Sequence, residues 1–525
     1  MQINLIEKGA CAYLFSAVMS ATLKGLQVEF IQVEADVSSG LPMFHMVGYL
    51  SSEVKEAGER VRTAIRNSGF GIPAMKIVVN LSPANMRKKG NLYDLPIAIA
   101  ILAAIGQIHE ENLKQQLFVG ELSLDGSVKG VRGILPIVME AEKQGYQTCV
   151  VPKENQKEAE LVSKMSIVGV TCLQEVCSLL NGQQKVNTKK ERQEEWKYEI
   201  EEGLDYSEIR GQEMAKRAAE IAVAGNHNLF MIGPPGAGKS MIAKRIPTIL
   251  PPLTKEESME LTMLYSVVGN LDSERPLIQN RPFREVHHSC SKSALIGGGM
   301  IPKPGEISLA HKGVLFLDEI AEFQKSTLEM LRQPMEEHYI RILRSGGEYC
   351  FPAEFLLVAA MNPCPCGNYP DLNNCRCTYG QIQKYLGKIS QPLLDRFDIC
   401  VEVERVQYED LMDIEKGESS AQIRDRVIRA REIQKERYKE VGILTNSQLT
   451  VKQMEQYCLL GIEEEKLMKQ AFQKMNMTAR IYYKVLGIAR TIADLSGKEQ
   501  IEVPHLREAL CYRMIDKKYW GGGRL

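Results

Sequence analysis

The sequence predicts a mixed α/β protein of more than one domain: an N-terminal α+β block, a central block on a parallel sheet, and an all-helical C-terminal block. Three observations carry this. The chain has 525 residues, several times the ~100–200 expected of one domain. Short apolar runs at 228–232, 314–317 and 355–360 are punctuated by Gly, Pro or charge, with helical patterns between them. Such runs suit strands of a parallel sheet buried on both faces. After about residue 415 strand signals fade, and apolar residues recur at helical spacing over 423–440, 451–459, 464–475, 480–496 and 504–512.

In the N-terminal block, 26–30 alternates apolar and polar, then the phase slips and Ile31, Val33, Ala35 and Val37 carry the alternation on. A strand with a bulge near Phe30 would do this. Residues 52–66 read as an amphipathic helix, 76–81 as a strand and 94–105 as an apolar helix. Residues 150–152 then 154–162 read as a strand leading into a charged helix. From 181 to 202 the chain is mostly Gln, Lys, Glu, Asn and Arg, a linker or solvated helix. The predicted divisions are therefore 1–181, a polar linker at 182–204, a core at 205–412 and a helical domain at 413–525.

A content of 44% hydrophobic and 25% charged residues excludes a wholly disordered or collagenous chain. Lys and Arg number 65 against 66 Asp and Glu, so any nucleic-acid surface has to be local. The most apolar stretch, 95–108, is too short to span a membrane. Residues 10–23 lack a basic leader, since Glu7 and Lys8 precede them, and Ser16, Ser20 and Thr22 dilute them. These features predict a cytoplasmic protein with no membrane partner.

Gly233, Pro234, Pro235, Gly236, Ala237, Gly238, Lys239 and Ser240 fit G-x-x-x-x-G-K-[ST], with a strand entering and a helix leaving. Glycines let backbone N–H groups wrap phosphates at a helix N-terminus. Lys239 is expected to reach the β- and γ-phosphates, and Ser240 to ligate Mg²⁺. Downstream, an apolar strand from Gly313 ends in Asp318 and Glu319. Asp318 is expected to hold Mg²⁺ through water and Glu319 to polarise the attacking water. A carboxyl pair favours ATP hydrolysis over simple binding, because a binder needs no base.

The order of P-loop, Asp-Glu strand and the strand ending at Asn362 resembles an AAA+ ATPase. Ile209-Arg-Gly-Gln212 resembles the box that packs near adenine. By the same resemblance Asn362 is sensor 1, Arg396 in Leu393-Leu-Asp-Arg-Phe397 is the arginine finger that completes a neighbour's site, and Arg480 is sensor 2. More specific segments narrow the family. They are Arg281-Pro-Phe-Arg284, Gly297-Gly-Gly299, Pro304-Gly-Glu-Ile-Ser-Leu-Ala-His311, Leu331-Arg-Gln-Pro-Met335 and Asn362-Pro-Cys-Pro-Cys-Gly367. Together they resemble the ComM/YifB family of magnesium-chelatase-like AAA+ proteins, end to end. That resemblance implies a hexameric ring motor acting on branched or single-stranded DNA, in branch migration or unwinding during recombination and natural transformation.

The N-terminal block is similar to the Lon-protease-type domain, an S5-like fold, through Gly120-Glu-Leu-Ser-Leu-Asp-Gly126 and Val151-Pro-Lys-Glu-Asn155. Peptidase chemistry there needs a Ser nucleophile and a Lys base. Aligned on the family, the Ser position holds Asp94 and the Lys segment reads Arg132-Gly-Ile-Leu-Pro-Ile137. The resemblance therefore implies a catalytically inactive domain.

Four of the 13 cysteines, Cys364, Cys366, Cys375 and Cys377, form C-x-C-x₈-C-x-C. They suit a structural tetrahedral Zn²⁺; the alternative is reduced thiols serving the turn after Asn362. Residues 339–347 read as a β-hairpin turning at 345–347. In related AAA+ helicases such a hairpin enters the channel, where Arg341 and Arg344 would face DNA; as isolated arginines they read as solvated surface. Arg87, Lys88 and Lys89 form a basic loop, read equally as phosphate contacts or as solvated charge. Adjacent His287 and His288 diverge on either element type, which favours a structural or interface role over chelation. A different class of function stays open, a chelatase-like motor that remodels a protein partner. An ATP-dependent protease is opposed by the missing Ser and Lys.

Overall fold

The computed structural model describes residues 14–162, 164–183, 203–344, 347–371, 373–412 and 417–520. Most of the polar segment 182–204, and the hairpin turn at 345–346, lie outside them. The chain divides into two compact units. One comprises the described residues before Lys197 with Ser258–Ile278 and Leu343–Tyr349; the other comprises the remainder.

The first unit is a mixed seven-stranded sheet. Its strands are β1 (Leu14–Lys24), β2 (Gln27–Ser38), β3 (Met43–Val47), β4 (Lys76–Ser82), β5 (Gln116–Phe118), β6 (Thr148–Pro152) and β7 (Ser166–Val170), in the order β3-β4-β2-β1-β5-β6-β7. The apolar stretch without a basic leader, 10–23, is thus strand β1 from Leu14 onward. β1 and β2 pair antiparallel without interruption from Leu14↔Val37 to Lys24↔Gln27, around Gly25 at φ +68°, as a two-residue hairpin turn favours. The expected bulge near Phe30 is absent from this register. The phase slip has another cause, because alternate residues of a strand face opposite ways. Ile31, Val33, Ala35 and Val37 enter one core cluster, whereas Val28 and Phe30 pack against a second, built on Ile134, Ile137 and Val138. A strand covered on both faces shows both phases.

Helix α1 (Ser52–Asn67) buries Val54, Ala57, Val61, Ala64 and Ile65, the i, i+3, i+4 stripe of an amphipathic helix. α2 (Asp94–Ala104) is apolar nearly all round and buried accordingly. Its first residue, Asp94, is 1% exposed. Arg60 donates from Nε and Nη2 to its two oxygens at 3.0 Å each, and Leu122 N–H donates to Oδ2 at 3.3 Å. The acid at the predicted nucleophile position is therefore a buried carboxylate paired with a partly exposed arginine. The charged helix expected at 154–162 is shorter, Gln156–Ala159. Residues 258–278, which the linear reading counts with the central block, pack in this unit. Met259 and Met263 pack against its second cluster, and Gly133 N–H donates to Ser266 O at 3.0 Å.

The second unit is built on β8 (Leu229–Ile232), β9 (Phe283–Val286), β10 (Val314–Leu317), β11 (Leu356–Met361) and β12 (Ile399–Glu402), in the order β9-β10-β11-β8-β12. All neighbours are parallel, and the three central strands are wholly buried. The C-terminal helices include Ser420–Arg437, Ile462–Met475, Ala479–Leu495 and Val503–Trp520, the last well beyond its predicted end. Ile423, Val427, Ile488, Ala489 and Leu506 share one core cluster with the sheet. Because all five strands run the same way, the loops after β8, β10 and β11 emerge on one edge, where ligands of open parallel sheets bind. Among the described residues no helix is long and apolar enough to cross a membrane.

Candidate functional site

The phosphate loop leaves β8 and enters α3 (Lys239–Ile249). Its glycines serve two physical needs. A Cβ on Gly233 would stand 2.1 Å from the Val403 carbonyl oxygen, so close backbone approach demands glycine there. Gly236 and Gly238 have open space beside them but φ of +77° and +89°, which only glycine adopts without cost. Lys239 Nζ donates to the carbonyls of Gly233 (2.7 Å) and Pro234 (2.8 Å) and to Asn362 Oδ1 (3.1 Å). Burial pushes its pKa down to about 8, with Asp318 and Glu319 pulling the other way.

Ser240 Oγ donates to Asp318 Oδ2 at 2.6 Å, and the N–H of Glu319 donates to Asp318 Oδ1 at 2.9 Å. Glu319 sits at φ +48° with its side chain exposed. A hydroxyl and a carboxylate oxygen at this separation form a hard-oxygen pair of the kind Mg²⁺ takes. The structure thus brings together Lys239, Ser240, Asp318, Glu319 and Asn362 from three loops on one sheet edge. Ile209 is buried in the core cluster with Ala237. Beside it, Gln212 Nε2 donates to Ala237 O (3.3 Å) and Glu404 O (2.5 Å), tying this segment to the phosphate loop.

The two predicted arginines meet elsewhere. Arg396, between β12 and the helix Gln391–Leu394, is 8% exposed; its Nη1 donates to Pro392 O and its Nη2 to Glu336 Oε1, both at 2.5 Å. Its Nε has no partner among the described residues. Arg480 opens the helix Ala479–Leu495, capped by Thr478, and reaches the same Glu336 oxygen at 3.4 Å. Sequence reading missed Glu336, since no local pattern links it to residues 60 and 144 positions away.

Cys364, Cys366, Cys375 and Cys377 converge with all four Sγ within 4.8 Å of one another. Three separations are 3.4, 3.8 and 3.6 Å. Four thiolates about 2.3 Å from a tetrahedral Zn²⁺ stand about 3.8 Å apart, so the set fits one mononuclear ion. Tyr369 N–H donates to Cys364 Sγ at 3.4 Å. A backbone N–H from Asn368 also lowers the Cys366 thiol to about 6. Burial acts the other way on Cys375 and Cys377, whose thiols are raised. His287 and His288 do not diverge as expected: their rings lie 4.0 Å apart, with His287 Nδ1 engaging Ser289 Oγ at 2.8 Å, and among the described residues no third ligand joins them.

Tyr339–Arg344 pairs with Gly347–Pro352 as a two-stranded hairpin. Arg341 and Arg344 are both exposed, and strand alternation sends them to opposite faces. Arg341 lies over the Tyr339 ring, 5.5 Å from its centroid. In the basic loop one expectation fails. The Lys88 side chain is fully buried and donates to Pro83 O, while its backbone bridges Leu50. It has no surface to offer a phosphate. Arg87 is exposed over Tyr49 and Lys89 is half-buried.

A glycine-lined loop at the end of a central parallel strand, facing an Asp-Glu pair and an Asn, defines a P-loop protein. Residues 205–411 match the family described as magnesium chelatase, subunit ChlI. Residues 33–155 match the subunit ChlI of Mg-chelatase model, and 417–513 its C-terminal model. Competence protein ComM of Haemophilus influenzae is 44% identical over 95% of this chain and 97% of its own. The Escherichia coli protein YifB is 42% identical over 96% and 97% respectively. A magnesium-chelatase 67 kDa subunit of Chlorobaculum parvum is 25% identical over 30% of this chain and 23% of its own. The chain belongs to the ComM/YifB family of magnesium-chelatase-like AAA+ proteins.

Proposed function

We propose that this chain is an ATP-hydrolysing ring motor that acts on DNA, in branch migration or unwinding. The observation that carries it is the convergence of Lys239, Ser240, Asp318, Glu319 and Asn362 on one sheet edge, in a chain similar to a competence protein over nearly its full length. In this reading Lys239 holds the β- and γ-phosphates and Ser240 and Asp318 hold Mg²⁺, which screens phosphate charge. Glu319 takes the proton of the attacking water, and Asn362 orients that water. Arg396 bears on a neighbouring subunit's nucleotide within a hexamer, Arg480 acts as sensor 2 on the lid helix, and Arg341 and Arg344 contact DNA in the channel. Residues 1–181 are an inactive Lon-type S5-like domain, 182–204 a linker, 205–412 the motor and 413–525 its lid; the protein works in the cytoplasm. The test is ATPase rate with and without branched DNA: several-fold stimulation is expected. The chelatase matches across three segments favour a second reading, a motor that remodels a protein partner, and an ATPase indifferent to DNA would select it.

Two further results are expected. Burial lowers the Lys239 pKa to about 8 in the free protein, whereas a polyphosphate stabilises the ammonium form. ATP binding at pH 8.5 should therefore take up a proton, and binding at pH 6.5 should not. Calorimetric enthalpies that are the same in buffers of different ionisation heat at pH 8.5 would show that Lys239 is already charged before nucleotide binds. The four cysteines hold a structural Zn²⁺, with no open position for chemistry. Metal analysis should give about one zinc per chain, lost when two of the four become Ser; a folded, metal-free protein with four titratable thiols would exclude it.

A further inference from the structure

The geometry points to the thiolate-bound ion as a staple for the phosphate loop, so that nucleotide affinity depends on metal occupancy. This rests on the zinc reading above and goes beyond it. Between β11 and the helix Tyr379–Leu386, the described residues of 362–378 contain neither helix nor strand. A loop that long without secondary structure is uncommon unless function or a cross-link holds it. Its own backbone hydrogen bonds are few and local, such as Gly367 N–H to Cys364 O at 3.0 Å and Cys375 N–H to Asp371 O at 2.8 Å.

This loop touches the nucleotide site at both ends of its first turn. Asn362, two residues before Cys364, accepts the Lys239 ammonium bond. Gly367, one residue after Cys366, lies against the phosphate loop: a Cβ there would stand 2.3 Å from Pro235 Cδ, and its φ is +79°. Beyond it, Asn368 Oδ1 accepts from Arg405 Nη2 at 2.8 Å, and the Tyr369 ring meets Tyr519 of the C-terminal helix edge-on at 5.9 Å. None of the cysteines is among the groups proposed to touch nucleotide. Their ion fixes a segment that lies against Pro235 and continues from Asn362. Without it, the loop regains conformational freedom, and the Pro235 and Asn362 contacts have to be ordered when nucleotide binds, which costs affinity. The cysteines and Gly367 are positioning residues.

The test uses the full-length protein and a fluorescent ADP analogue, with zinc measured on the same samples. Stripping zinc with a thiol-competing chelator should weaken binding about tenfold, equivalent to about 1.4 kcal/mol, and added Zn²⁺ should restore it while far-UV circular dichroism stays constant. Gly367→Ala keeps all four thiols but pushes the loop from Pro235; it should retain one zinc per chain and bind at least threefold more weakly. That variant decides the matter if stripping unfolds the chain. Unchanged affinity in stripped protein that had held zinc, or in zinc-loaded Gly367→Ala, overturns the staple and leaves the zinc reading standing. Protein purified without zinc, with affinity indifferent to added Zn²⁺, overturns both.

Discussion

Glu319→Gln is expected to stop turnover while leaving ATP bound. The two acids at the end of β10 are held differently. Asp318 is committed, accepting from Ser240 Oγ and from the Glu319 N–H. Glu319 is displayed, its backbone in the left-handed region at φ +48° and its carboxylate in solvent. A non-glycine residue there costs of order 1 kcal/mol or more, and such outliers cluster at functional sites. Gln keeps the shape and removes only the basic oxygen, so the loss falls on the chemical step, by about 10²–10⁴-fold for a general base. Lys239→Ala should do the reverse, because an ammonium that compensates phosphate charge is lost and binding collapses first. Single-turnover hydrolysis alongside nucleotide retention after gel filtration separates the two. Near-normal turnover by Glu319→Gln would take Glu319 out of the role of base.

What could be read in advance followed contiguity. The phosphate loop, the Asp-Glu strand and the strand ending at Asn362 are short runs whose residues sit side by side in the chain, and their mechanisms require that order. The central strands β8, β10 and β11 were legible because burial on both faces leaves continuous apolar runs. Edge strand β9, Phe-Arg-Glu-Val, is only partly buried and carries no such run. The β2 phase change was visible but misread, since one strand serving two cores mimics a bulge.

Tertiary facts left no local trace. Residues 258–278 look like ordinary amphipathic sequence, yet Met259 and Met263 pack against the first unit's core. Lys88 stands between two other basic residues, and only the fold shows its backbone pairing beside Leu50 with the ammonium turned inward to Pro83 O. The four cysteines were visible as candidate ligands by count and spacing, and their thiols do converge. That Gly367 abuts Pro235 required coordinates.

Mixing two inactive variants should recover activity. In the single chain Arg396 spends its guanidinium on Pro392 O and Glu336, whereas Lys239 is bonded to Gly233, Pro234 and Asn362. The two cations thus occupy separate networks within the chain, and the proposal assigns Arg396 to a neighbour's nucleotide. An arginine that meets only the transition-state charge lowers turnover far more than binding, so Arg396→Ala should cut the ATPase rate by about 10³-fold or more at near-normal ATP affinity. Lys239→Ala is inactive for want of binding but keeps its finger. In a mixed ring, an Arg396→Ala subunit offers an intact pocket and its Lys239→Ala neighbour an intact Arg396, so those interfaces hydrolyse ATP. The recovered rate should rise and fall with the mixing ratio and peak near equal amounts. The measurement is steady-state phosphate release across that ratio, with subunit exchange followed by fluorescence transfer between labelled chains. A mixture that exchanges subunits and stays as inactive as its parents would show that Arg396 does not act across the boundary, as would full activity in a dilute monomer.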